Sequence, residues 1–155
     1  MARPVRMLPG YRRARARGTA GRTRGRSEHQ EQVELVGLLR SIHPGVLFFA
    51  IPNGGARSKR VAVKLKAEGV LAGVSDLFVS EPRGEFHGLY LEMKRTVGGS
   101  TSAKQRWFLK RAAARGYKTV VCDKGSLAAL RVVEDYLELQ NPNESMLGKL
   151  HRVLG

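Results

Sequence analysis

The sequence predicts an α/β fold, a single mixed β-sheet with helices packed on it. Segments with helical apolar periodicity alternate with short runs of strand formers. Glycine or proline punctuates most of the junctions between them. Hydrophobic residues make up 42% of the 155, enough for the core of one compact domain.

The first helix is expected from Glu28 to Ile42. Val33, Val36 and Leu39, with Leu35 and Leu38 alongside, give it one broad apolar face, and Pro44-Gly45 ends it. Val46 to Ile51 is a short strand closed by Pro52-Asn53-Gly54-Gly55. A second helix covers Lys59 to Glu68 and stops at Gly69. Gly73 opens a turn into the strand Asp76-Leu77-Phe78-Val79. Glu81-Pro82-Arg83-Gly84-Glu85 reads as a hairpin turn, with Leu89 to Lys94 the returning strand. After the link Gly98-Gly99-Ser100, Ser102 caps a third helix that runs to about Arg115, before Gly116. Lys118 to Cys122 is the last strand and Ser126 to Leu139 the last helix. The element order is α-β-α-β-β-α-β-α.

Residues 1–27 stand apart from this pattern. They hold nine arginines and no acid, with glycine and alanine filling much of the rest. Such a segment has too little apolar surface to order itself and reads as a disordered basic arm. The domain then spans 28–139, with 140–155 a loosely attached tail. The chain carries 28 Lys+Arg against 13 Asp+Glu, a net +15, of which the arm supplies +9 and residues 28–155 the remaining +6. The excess favours a polyanionic partner, nucleic acid before an anionic membrane surface. A solubilising tail or a targeting peptide would share the arm's composition.

Other classes are excluded. The single cysteine, Cys122, rules out a disulfide framework or a cysteine zinc site within one chain, and its apolar neighbours suit a buried thiol. No apolar run approaches the roughly 18 residues of a membrane span. The N-terminus has charge without the apolar stretch of a secretory signal. His29, His43, His87 and His151 show no metal-ligand spacing.

The chemistry centres on Asp76, Glu92 and Lys94. Side chains alternate along a strand, so Tyr90, Glu92 and Lys94 share one face while Leu89, Leu91 and Met93 supply a core face. A hairpin at residues 81–85 brings Asp76 to the same end of the sheet as Glu92. Two carboxylates held together repel unless a cation lies between them, and hard oxygen ligands suit Mg²⁺. A surface ion pair between strands is the plainer reading of Glu-x-Lys alone.

Further residues fall into order around this centre. They are Glu28 with Gln32, Pro52-Asn53-Gly54-Gly55 with Arg57, and Lys64-Leu65-Lys66-Ala67-Glu68-Gly69 running into Gly73-Val74-Ser75-Asp76. Gly88-Leu89-Tyr90-Leu91-Glu92-Met93-Lys94, Gln105 and Gly116-Tyr117 follow. Together they resemble the PD-(D/E)XK nuclease superfamily, and within it the VRR-NUC group, the virus-type replication-repair nucleases. The resemblance covers roughly Glu28 to Leu137. It implies a restriction-endonuclease-like fold and an endonuclease that hydrolyses DNA with Mg²⁺ or Mn²⁺. Asp76 and Glu92 would bind the metal with the backbone carbonyl of Met93, and Lys94 would be the catalytic lysine. Gln105 would orient a water or phosphate. Glu28 would complete the site, with Glu31 its rival. Ser75 departs from the proline usual before the metal-binding aspartate. Stand-alone members look like junction-resolving enzymes and tend to dimerise. The resemblance therefore implies branched DNA as partner, a homodimer, no membrane and no small-molecule cofactor. It also implies a cytoplasmic or nucleoid-associated place, in a virus- or prophage-encoded setting. A non-catalytic nucleic-acid-binding module on the same fold is the competing expectation, and loss of a ligand would mark it.

Asn53, Arg57, Arg60 and Lys64 are read as phosphate contacts, ahead of a plain turn for the loop and a solvated helix face for Lys64, because the glycine-rich loop allows close backbone approach and leads into a basic helix. Trp107 and Phe108 are expected in a core or interface rather than as base-stacking platforms.

Overall fold

The structure is a computed structural model that describes residues 26–52 and 58–142. Eight elements follow in the predicted order: α1 (Glu28–Ile42), β1 (Phe48–Ala50), α2 (Lys59–Ala67), β2 (Leu77–Val79), β3 (Leu89–Met93), α3 (Ala103–Ala113), β4 (Lys118–Cys122) and α4 (Ser126–Leu137). The arm up to residue 25, the loop 53–57 and the tail beyond 142 lie outside the described residues.

The strands form one mixed sheet in the order β1-β2-β3-β4. β1 and β3 both run antiparallel to β2, and β4 runs parallel to β3 through the α3 crossover. β1 is shorter than the six residues expected. Its ladder is nonetheless extended by Ile51 N–H donating to the Asp76 carbonyl and Ser80 N–H donating to the Leu47 carbonyl, both at 2.8 Å.

Alternation along the strands builds the two layers. Leu77, Val79, Leu89, Leu91 and Met93 are wholly buried in one core with Leu35 and Leu39 of α1 and Ala129, Val133 and Tyr136 of α4. Each such leucine contributes roughly 1.5–3 kcal/mol of hydrophobic stabilisation. The opposite face carries Phe78 and Tyr90, whose tilted rings pack at 4.6 Å between centroids, and α3 covers it by setting Phe108 5.0 Å from Tyr90. β3 is therefore covered on both sides.

Two expectations about α1 change. Its buried stripe is narrower than expected: Leu35 and Leu39 are fully buried and Val36 and Leu38 partly so, but Val33 is 57% exposed. The helix meets the sheet and α4 along one line spaced four residues apart. Ser27, which composition groups with the arm, is the N-cap of α1 in a capping box with Gln30. Just past α4, Gly84 N–H donates to the Gln140 carbonyl at 2.8 Å. α2 differs from the other helices in having no buried residue. Among the described residues no helix is long and apolar enough to cross a membrane.

Candidate active site

The β2–β3 register places Leu77 opposite Leu91, which brings Asp76, just before β2, beside Glu92 and Met93. Asp76 Oδ2 accepts a hydrogen bond from Met93 N–H at 2.8 Å. Glu92 is wholly buried within β3. Its Oε1 accepts from Lys94 Nζ at 2.6 Å and also from Gln105 Nε2. Lys94 is almost as buried, and its backbone N–H donates to the Cys122 carbonyl at 2.8 Å, continuing the parallel pairing of β3 with β4. From α1, Glu28 Oε1 accepts from Arg95 N–H at 3.2 Å. Residues of four separate segments thus converge at one end of the sheet.

Two glycines allow the segments to approach. Gly73 has φ +90, and a Cβ there would stand 2.6 Å from the carbonyl carbon of Lys104. The first turn of α3 therefore sits directly on the loop leading to Asp76. A Cβ at Gly99 would stand 2.6 Å from the Arg95 carbonyl oxygen, so the loop after Lys94 folds back tightly.

The electrostatics are only partly compensated, since Lys94 pairs with one oxygen of Glu92. Burial pushes the Glu92 carboxyl up to about 7, with Asp76 and Glu28 raising it further and Lys94 opposing them. Burial also raises Asp76, opposed by the Met93 N–H and by Lys94 and assisted by Glu28. Glu92 Oε2 is buried without a hydrogen-bond partner among the described residues. An orphaned carboxylate oxygen is costly, and a hard cation would relieve it together with the mutual repulsion of the acids. The donor set therefore fits a divalent ion. It is a sparse one: among the described residues no group of three or more His, Cys, Asp and Glu side chains stands ready to hold a metal.

No protein-family model matches the chain, and no curated protein matches it. A solved structure described as a VRR_NUC domain protein superimposes with a TM-score of 0.65 at 24% identity, over 76% of this chain and 93% of that one. The chain has the VRR-NUC fold. At this identity the likeness speaks for architecture, and the local geometry must carry the rest.

On the VRR-NUC fold, Glu28 and Glu31 separate cleanly. Glu31 is buried, but its Oε2 accepts from Ser126 N–H at 2.7 Å, at the start of α4. Gly125, the N-cap of that helix, offers no side chain, so Glu31 supplies the cap from across the fold. Glu34 accepts from Ser126 Oγ at 2.6 Å, which holds its carboxyl below the usual range. Sequence reasoning missed this pairing, and a helix starting at Gly-Ser with no acid in its first turn was the available signal. Of the expected phosphate contacts, Arg60 and Lys64 lie exposed on α2, where Lys64 pairs loosely with Glu68 at 3.7 Å. Asn53 and Arg57 lie outside the described residues. Phe108 joins the aromatic layer, whereas Trp107 is half-exposed with Arg111 over its ring at 5.0 Å. Cys122 is buried, as expected.

Proposed function

We propose that this chain is a VRR-NUC endonuclease that hydrolyses DNA phosphodiester bonds with Mg²⁺ or Mn²⁺, acting as a homodimer on branched or junction DNA. The observation that carries this reading is the buried Glu92, whose Oε2 lacks a partner while Asp76 and Lys94 stand beside it. The VRR-NUC fold supports a nuclease-type domain, and the net charge of +15 supports a polyanionic substrate.

In this reading Asp76, Glu92 and the Met93 carbonyl hold the ion, and Glu28 completes the set. The bound ion would polarise a phosphoryl oxygen and lower the pKa of a water. The chain's own residues do the rest. Lys94 spends one N–H on Glu92 and has further donors for a water or a phosphoryl oxygen, where negative charge develops as the P–O bond breaks. Gln105 holds Glu92 from the other side. Arg60 and Lys64, with Asn53 and Arg57, are assigned to the phosphate backbone, where they position DNA without reading its sequence. Two copies would set two such sites on one branched substrate.

The test is a panel of branched, nicked, linear and single-stranded DNA, incubated with Mg²⁺, Mn²⁺ or EDTA beside an Asp76→Ala control. Metal-dependent cleavage lost in Asp76→Ala is expected. Cleavage persisting in EDTA or in the variant overturns the mechanism. Binding without cleavage on every substrate points instead to a non-catalytic nucleic-acid-binding module.

A further inference from the structure

The chain contains the same capping sequence twice, Ser27-Glu28-His29-Gln30 and Ser102-Ala103-Lys104-Gln105, and both form complete capping boxes. In each, the serine Oγ accepts from the glutamine backbone N–H at 3.2 Å. In each, the serine backbone N–H donates back to the glutamine Oε1, at 2.9 Å in α1 and 2.8 Å in α3. Their surroundings differ. Gln30 is exposed, and its side chain's bonds are those of the box. Gln105 is half-buried, and its Nε2 donates to Glu92 Oε1.

We infer that the α3 cap is part of the catalytic apparatus, with Ser102 a positioning residue that locks Gln105 so that its amide fixes the rotation of Glu92. This rests on the metal-dependent reading above. The Ser102 N–H can only donate, so the Gln105 oxygen must face it and the Gln105 nitrogen must face Glu92. The box thereby selects the one amide orientation that serves the carboxylate. Glu92 needs such a partner because the terminal torsion of a glutamate is broad and two-fold. Lys94 alone cannot fix it, since an ammonium is a rotatable point donor rather than a planar one. Both donors land on Oε1, and Oε2 keeps all of its acceptor capacity for a cation. The contact of Lys104 with Gly73 seats this same turn against the loop carrying Asp76, so the cap sets the relation of the two carboxylates to each other.

The test compares the full chain with Gln105→Met, Gln30→Met, Ser102→Ala and Ser102→Thr. Mn²⁺ binding is measured by calorimetry without DNA, alongside thermal melts. Gln105→Met should bind Mn²⁺ about tenfold more weakly, the scale of losing a hydrogen bond behind a metal ligand. Gln30→Met gives up the equivalent cap bond and should stay within about twofold of wild type. Ser102→Ala should weaken binding by about three- to fivefold, and Ser102→Thr, which keeps a capping hydroxyl, should restore it. A merely structural cap would lower melting temperature alike in both helices and leave Mn²⁺ affinity unchanged. Wild-type affinity in Gln105→Met, or equal losses in the two Gln→Met variants, overturns the inference while leaving the metal site standing. If the wild-type chain takes up no Mn²⁺, the metal-dependent reading fails and this inference falls with it.

Discussion

Two buried glutamates, Glu31 and Glu92, have the same side chain and opposite surroundings. Glu31 faces the start of α4, where free backbone N–H groups concentrate partial positive charge, and its Oε2 accepts from Ser126 N–H. Glu92 faces Asp76 and Glu28, keeps one oxygen without a partner among the described residues, and is pushed up to about 7. A buried carboxylate that caps a helix belongs to the fold. One that is left half-satisfied among other acids costs the fold stability, and in the proposed function a bound cation offsets that cost.

That contrast can be broken by experiment. The largest effect is expected from Glu92→Gln, which should weaken Mn²⁺ binding by about 100-fold or more, because it replaces a charged oxygen ligand with a neutral amide. Glu31→Gln should act on the fold instead. It should cost about 1–2 kcal/mol in denaturant melts, with Mn²⁺ affinity held within about twofold.

The pH response separates the two residues further. The Glu92 carboxyl titrates higher in the native state than in the unfolded chain, so the native state holds its proton longer. Its contribution to stability is therefore full below the usual carboxylate range and is lost as pH rises through about 7. Metal-free melts at pH 5 and pH 8 should show this loss in wild type and in Glu31→Gln, and not in Glu92→Gln. Cation affinity should run the other way, falling about tenfold per pH unit below that point as the ligand protonates. The smallest effect is expected from Lys64→Ala, which removes an exposed pair with Glu68 and should change stability by less than about 0.5 kcal/mol while weakening DNA binding in a salt-dependent way.

The difference between the glutamates also marks where sequence reading stops. Element order was legible because periodicity and glycine or proline breaks are local signals. The meeting of Asp76 with Glu92 and Lys94 was legible because a hairpin register is set by its turn and by strand alternation. What Glu31 does was not, because its partner lies 95 residues away at a helix start whose missing cap is visible only once the helices pack. The same holds for the burial of Glu92 and Lys94. Alternation separates the two faces of β3, but the placement of α3 decides that the polar face is also covered. Val33 differs from expectation for a related reason: periodicity gives an apolar arc, and the width of the actual contact with α4 and the sheet fixes how much of it is used. The double duty of Gln105, cap for α3 and donor to Glu92, needed both the local box and the tertiary contact.

The central claim is that Glu92 serves a metal-dependent hydrolysis and Glu31 does not. Single-turnover cleavage of a branched DNA in Mg²⁺, comparing wild type with Glu92→Gln and Glu31→Gln, tests it most directly. The expected result is cleavage by wild type and by Glu31→Gln at rates within a few-fold, with a loss of about 1,000-fold or more in Glu92→Gln. Cleavage by Glu92→Gln at the wild-type rate would contradict it.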